Sequence, residues 1–213
     1  MNYSTKLHNQ YIDYMITTCK NHGLSLLLEG SLSKNIGQKF SDIDLAISGN
    51  ISTIVLDSII SGYDSIIMIN YTENPKGILI LNYENGINVD LDIRETFLQN
   101  EIDENMVLCD NGFKIDTVVK RKDIISCIIP ERPQWYKTIR LIHRCCIKLL
   151  CNKEEASKGL CREVQQAILD LYHIKISSGS ISEQMKEALS VIDEQENVDK
   201  PIISLFEKLF LDM

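Results

Sequence analysis

Residues 28–45 read LEGSLSKNIGQKFSDIDL, and residues 88–93 read NVDLDI. In the first stretch an apolar run ends at Gly30-Ser31, and ten residues later Asp42-Ile43-Asp44-Leu45 alternates with period two. Side chains alternate across a strand, so Asp42 and Asp44 share one face while Ile43 and Leu45 point to the other. A slip of one residue would bury both carboxylates, so the apolar partners fix the register. The second stretch repeats the pattern: Asp90 and Asp92 share a face, with Val89, Leu91 and Ile93 opposite. Like charges side by side are destabilising unless a positive charge lies between them.

If the two strands lie together with their faces aligned, three or four carboxylates meet. Hard oxygen donors in a compact set favour Mg²⁺, which keeps waters and takes phosphate oxygens. Two such ions about 3.5–4 Å apart clamp the attacking and leaving oxygens of a phosphoryl group. Gly30 lets the backbone approach a polyphosphate, and the Ser31 hydroxyl and N–H can hold its outer phosphates.

The ordered set Gly30-Ser31, a ten-residue gap, Asp42-Ile43-Asp44-Leu45 and a later NVDLD resembles the signature of the DNA polymerase beta-like nucleotidyltransferases. The signature spans residues 24–93. The resemblance implies that Asp42 and Asp44 bind both Mg²⁺ ions and that Asp90 is the third carboxylate, helping to deprotonate an acceptor hydroxyl. Asp92 is the reserve for that role. Gly30 and Ser31 would hold the triphosphate of ATP or another NTP. Lys39 and Ser41 would touch phosphate, or else belong to a solvated loop.

Outward from this stretch, Leu7, Tyr11, Tyr14, Met15 and Cys19 have helical spacing before Gly23, predicting a helix over 3–21. Residues 24–29 and 42–47 read as strands. Residues 52–61 read as a helix with Ser52 as N-cap and Gly62 as stop. SIIMINY (65–71) and GILILNY (77–83) read as strands around an NPKG turn, and Asn85-Gly86 signals a hairpin into NVDLDI. A small hairpin is expected at 109–114 and a helix at 117–129. Pro130 and Pro133 mark the clearest boundary, and helices are expected at 135–151, 155–174, 182–193 and 201–211. The expected class is α+β: a nucleotidyltransferase fold with a mixed, helix-flanked sheet as the catalytic domain (1–130), then a C-terminal helical bundle (131–213).

Charge is uneven along the chain. Residues 132–162 hold eight Lys/Arg and two acids, residues 163–213 four against ten, and residues 1–131 ten against eighteen. Within the basic island Arg140, Arg144 and Lys148 stripe one helix face, and Lys158 and Arg162 repeat the spacing. This is either a solvated face or a set of cations for the triphosphate. In related small-molecule nucleotidyltransferases a helical C-terminal part gives a Lys or Arg to the phosphates, which makes Lys148 and Lys158 the candidates. Trp135 and Tyr136 read as core packing more readily than as a base-stacking pair. Glu131, Glu154 and Glu155 are alternative general bases, or ordinary surface charge. The four histidines are scattered and read as surface or packing residues.

The chain has 213 residues, 44% of them hydrophobic, and a net charge of −8. That balance argues against wrapping long nucleic acid. No run is long and apolar enough for a membrane span, and the polar N-terminus lacks a secretion signal, so a cytoplasmic location is expected. The seven cysteines, odd in number and set among apolar residues as in IISCII around Cys127, read as reduced and buried. The His-Arg-Cys-Cys run at 143–146 has no matching half-site for a metal. The expected activity is transfer of AMP from ATP to a hydroxyl of a small molecule with release of pyrophosphate. The layout resembles antibiotic nucleotidyltransferases acting on aminoglycosides or lincosamides, and an acidic chain suits a cationic acceptor. The alternatives are a protein-modifying, antitoxin-type AMP transferase, a terminal transferase on RNA and a non-catalytic nucleotide-binding module. The acidic helical tail is either a homodimer surface or solvated.

Overall fold

Helix α1 (Lys6–His22) begins where Thr5 caps the His8 N–H and ends at Gly23, whose φ of 63° closes it in the left-handed region. Its buried residues are His8, Tyr11, Ile12, Met15 and Cys19. The apolar stripe is thus rotated from the expected one, with Leu7 exposed and His8 turned inward. In a computed structural model, residues 4–73, 75–125 and 128–213 are described. They form two compact units, Met1–Pro130 and Glu131–Met213.

After α1 the first unit runs β1 (Ser25–Leu28), α2 (Gly30–Ser33), β2 (Ile43–Ser48), α3 (Thr53–Ser61), β3 (Ile66–Glu73), β4 (Lys76–Tyr83), β5 (Asn88–Thr96), α4 (Gln99–Glu104), β6 (Met106–Cys109) and β7 (Lys120–Arg121). The sheet order is β3-β4-β5-β2-β1-β6, with β7 added to β5 beyond the start of β4. β2 and β5 are parallel, and the other pairs are antiparallel. One sheet face carries Leu26, Leu28, Ile43, Leu45, Ile47, Val89, Leu91 and Ile93 into a single core with α1 and α3. The other face holds a small cluster of Leu27, Ala46 and Phe97, joined by Ile102 and Phe113. Ser52 caps α3 by accepting the Val55 N–H, and Gly62 ends it.

Two expected elements differ. Residues 109–114 form no hairpin. β6 pairs with β1, Asn111 ties its N–H to Ser25 Oγ and its side chain to the Leu24 carbonyl, and Ile115 then bridges Phe97. Residues 117–124 are not helical, Ile125 has 3₁₀ conformation, and Ser126 and Cys127 lie outside the described residues. Thr96 Oγ1 donates to Val118 O and accepts the Lys120 N–H, which draws this segment along β5 as β7. The apolar spacing that suggested a helix places Ile124, Ile125 and Ile129 in the core by a turn instead. The sequence reading also did not separate the short α2 and α4.

The second unit is helical, as its pattern predicts: α5 (Gln134–Leu150), α6 (Glu154–Tyr172), α7 (Ile181–Glu196) and α8 (Lys200–Asp212). Ser180 and Glu183 form a reciprocal capping box at the start of α7. Six cysteines (19, 109, 145, 146, 151 and 161) are buried free thiols; burial pushes Cys19 up to about 12 and Cys145 up to about 11. The Cys145 thiol donates to the Ser157 carbonyl, so it serves packing between α5 and α6. Among the described residues no helix is long and apolar enough to cross a membrane.

Candidate functional site

The parallel β2–β5 pair decides the site. Its register sets Ile43 against Val89, Asp44 against Asp90, Leu45 against Leu91 and Ala46 against Asp92. Ile43, Leu45, Val89 and Leu91 are essentially fully buried on the core face. Asp44 and Asp90 therefore leave the opposite face as direct neighbours on strands about 4.8 Å apart. Asp42 precedes β2 by one residue, and all three aspartates are half-buried.

Gly30 follows β1 at the same end of the sheet. Its φ is 68°, and the Asp44 carboxylate packs against its α-carbon: a Cβ there would lie 1.9 Å from Asp44 Oδ2 and 2.8 Å from Cγ. Glu29, just before it, donates its N–H to the Asp44 carbonyl at 2.9 Å. The close approach that the sequence suggested for a polyphosphate is thus made by the Asp44 side chain. Ser31 is half-buried, and its carbonyl accepts the Ile36 N–H. The Ser33 hydroxyl donates to the Gly30 carbonyl, which keeps this turn closed.

The loop into Asp42 has its own supports. Ser41 Oγ accepts the Gln38 N–H at 2.8 Å, so this hydroxyl shapes a turn. Lys39 is exposed, with its ammonium 4.5 Å from the Phe40 ring centre. From α1, the buried His8 sets Nε2 at 3.1 Å from the Ser41 carbonyl, which makes Nε2 the protonated nitrogen. Its Nδ1 is buried with no hydrogen-bond partner among the described residues. Burial holds this imidazole below its usual value, against the opposing pull of the Ser41 carbonyl and Asp42.

Asp92 lies on the same face as Asp90 but has a different environment. It is 3% exposed and is gripped by two arginines. Arg94 Nε donates to its Oδ2 at 2.8 Å, and Arg121 Nη2 donates to the same oxygen at 2.8 Å. Arg94 also holds Glu29 with two bonds of 2.9 Å. Burial works against the Arg94 charge, but Asp92 and Glu29 outweigh it and raise its pKa. Burial raises Glu29, and Arg94 offsets part of that rise. Glu29, Arg94, Arg121 and His8 were not found by sequence reasoning. Arg94 had a legible signal, since it sits two residues after Asp92 on the same strand face. Arg121 had none, because its segment read as helix.

In the second unit Arg140 and Lys148 are half-buried and Arg144 is exposed along α5, with Ile139, Ile142 and Cys146 buried on the other side. The Lys158 ammonium pairs with Glu154 and Glu155 on its own helix, each at 3.0 Å. Glu131 pairs with Lys137 at 3.5 Å. Tyr136 is buried against Trp135 and beneath the Arg132 guanidinium.

Asp42, Asp44 and Asp90 form a hard-oxygen donor set suited in chemistry to a divalent cation. Among the described residues no three carboxylate, imidazole or thiol groups stand close enough together to hold an ion as they lie. The register makes Asp44 and Asp90 neighbours across the parallel pair.

No protein-family model and no curated protein matches the sequence. Among solved structures the chain is similar to the Thermotoga maritima CCA-adding enzyme complexed with tRNA_CCA, at 13% identity and a TM-score of 0.36, covering 97% of this chain and 51% of that one. The chain thus spans about half the length of that enzyme. It is also similar to the STING-associated CdnE c-di-GMP synthase of Capnocytophaga granulosa (14% identity, TM-score 0.30, covering 100% and 85%) and to the Elizabethkingia meningoseptica CdnE cyclic dinucleotide synthase with GTP and Apcpp (11%, 0.28, covering 99% and 91%). Gly30 closes β1, the Asp42–Asp44 pair opens β2 and Asp90 stands in register on the parallel β5, within a mixed sheet flanked by helices.

Proposed function

We propose that this chain is a metal-dependent nucleotidyltransferase that moves AMP from ATP to a hydroxyl of a small molecule and releases pyrophosphate. The observation that carries the reading is the Asp44–Asp90 register on parallel strands, with Asp42 beside them and Asp92 already neutralised by arginines. Residues 1–130 are the catalytic domain, and residues 131–213 are a helical domain that follows it. Asp42, Asp44 and Asp90 hold the divalent cations. When bound, such cations neutralise the triphosphate and polarise its α-phosphoryl group. Asp90 takes the proton of the acceptor hydroxyl. The acceptor oxygen bonds to the α-phosphorus as the bond to the bridging oxygen breaks, and the pair of electrons leaves with pyrophosphate. Gly30 and Ser31 border the triphosphate, with Lys39 and Ser41 at its edge. The net charge of −8 suits a cationic acceptor such as an aminoglycoside.

The test is an acceptor screen with α-labelled ATP and Mg²⁺, each other NTP serving as competitor. Its arms are aminoglycosides and lincosamides, a tRNA 3′ end, a second NTP and co-expressed protein. Label on a small molecule supports the reading. Label on RNA, nucleotide or protein keeps nucleotidyl transfer and removes the small-molecule acceptor. Activity untouched in Asp42→Asn and Asp44→Asn removes the enzyme site altogether.

A further inference from the structure

Arg94 stands where four segments cross. Its Nε–H donates to Asp92 Oδ2 on β5, its Nη1 and Nη2 donate to the two Glu29 oxygens after β1, and Nη1 lies 3.4 Å from Glu101 Oε1 on α4. Through Asp92 it is joined to Arg121 on β7. The guanidinium is 6% exposed and lies 5.2 Å from the Phe97 ring centre. Burying several charges to gain stability is poorly rewarded, because desolvation offsets most of the attraction and an apolar set of similar volume does as well. The arrangement does hold Glu29 in one orientation by a planar, two-bond fork that a lysine cannot reproduce. Glu29 is the residue whose N–H meets the Asp44 carbonyl, and it is followed by the glycine against which the Asp44 carboxylate packs.

We propose that Arg94 is a positioning residue for the acidic site: by clamping Glu29 it sets the turn between β1 and Gly30, and through that turn the orientation of the Asp44 carboxylate. The consequence for metal and nucleotide rests on the nucleotidyl-transfer reading, while the effect on the turn does not. Arg94 touches no reacting group in this scheme. Arg121 completes it by keeping Asp92 occupied, so that Asp90 alone on β5 faces Asp44.

Two measurements on the full chain test this. Hydrogen exchange read by NMR reports the Glu29 amide, with the Leu45 and Leu91 amides of β2 and β5 as internal controls. Binding of a non-hydrolysable ATP analogue in the presence of Mn²⁺ reports the site. Arg94→Lys keeps the charge and is expected to speed exchange at Glu29 about tenfold or more while the controls stay protected, and to weaken Mn²⁺–nucleotide binding about 10–100-fold. Glu29→Gln, which keeps shape and loses charge, is expected to do the same, and it carries the test if Arg94→Lys does not fold. Unchanged exchange at Glu29 in a folded variant overturns the proposal. Faster exchange with unchanged binding also overturns it, leaving Arg94 a purely structural group. If the wild type binds no Mn²⁺–nucleotide and Asp44→Asn behaves identically, the nucleotidyl-transfer reading falls, and the exchange at Glu29 still decides whether Arg94 sets the turn.

Discussion

Substituting Gly30 by alanine isolates the contact on which the acidic site is built. Two costs add. A non-glycine residue at φ 68° pays about 1–2 kcal/mol for the left-handed conformation. The new Cβ would also lie 1.9 Å from Asp44 Oδ2 and 2.8 Å from Cγ, where ordinary contact begins at 3.4 Å. Turning the carboxylate about its last bond moves the oxygen but not Cγ, so χ1 of Asp44 must change as well. An off-rotamer side chain costs about 0.5–1.5 kcal/mol. The expected loss of stability is about 1.5–3.5 kcal/mol. Gly23→Ala is the matched control, since its φ is 63° and nothing lies within 4 Å of the added Cβ. It should lose only the backbone share, about 1–2 kcal/mol. Urea unfolding followed by circular dichroism measures both. Displacing Asp44 by more than an ångström should also lower Mn²⁺–nucleotide affinity about a hundredfold in Gly30→Ala and leave it unchanged in Gly23→Ala. If Gly30→Ala loses no more stability than Gly23→Ala and binds as the wild type does, the reasoning is wrong.

Other outcomes follow from the same geometry. Asp90→Asn is expected to abolish metal-dependent transfer while leaving stability within about 1 kcal/mol, because it relieves repulsion with Asp44. Asp92→Asn is expected to do the reverse, costing about 1–3 kcal/mol because Arg94 and Arg121 both lose a charged acceptor while Arg94 keeps Glu29; comparing activity with urea midpoints separates the two. His8 has its pKa below the usual 6.5, so the unfolded chain binds the more protons between the two values. Its contribution is therefore full above pH 6.5 and is lost as pH falls below it; urea midpoints from pH 7.5 down to pH 5, about the range in which an imidazole titrates, should drop less in His8→Gln than in wild type.

The legible part of this fold was the part governed by local pattern. Alternation at Asp42–Leu45 and Val89–Ile93 gives the strands, their faces and the acidic pair, because period two leaves no other register with the aliphatic residues inside. Helix α1, helix α3 and all four helices of the second unit follow from apolar spacing and, in the first unit, from caps such as Ser52 and Gly23. The illegible part depended on partners remote in sequence. Residues 117–125 have helix-like apolar spacing, yet Thr96, more than twenty positions away, captures their backbone for β5. The preference for Asp90 over Asp92 comes from the resemblance alone; that Arg121 holds Asp92 has no local signal, because Arg121 reaches it only once β7 forms. His8 went unnoticed for a similar reason, since its acceptor is the Ser41 carbonyl on a loop 33 residues on.

The parallel pairing of β2 with β5 also shapes how the chain folds. Asp44 and Asp90 lie 46 residues apart, and the β3–β4 hairpin and the tight turn into β5 separate them. Those local pairings close short loops, whereas docking β5 on β2 closes a long one. The two carboxylates therefore meet only when the long-range step occurs, and their repulsion opposes that step and none of the earlier ones.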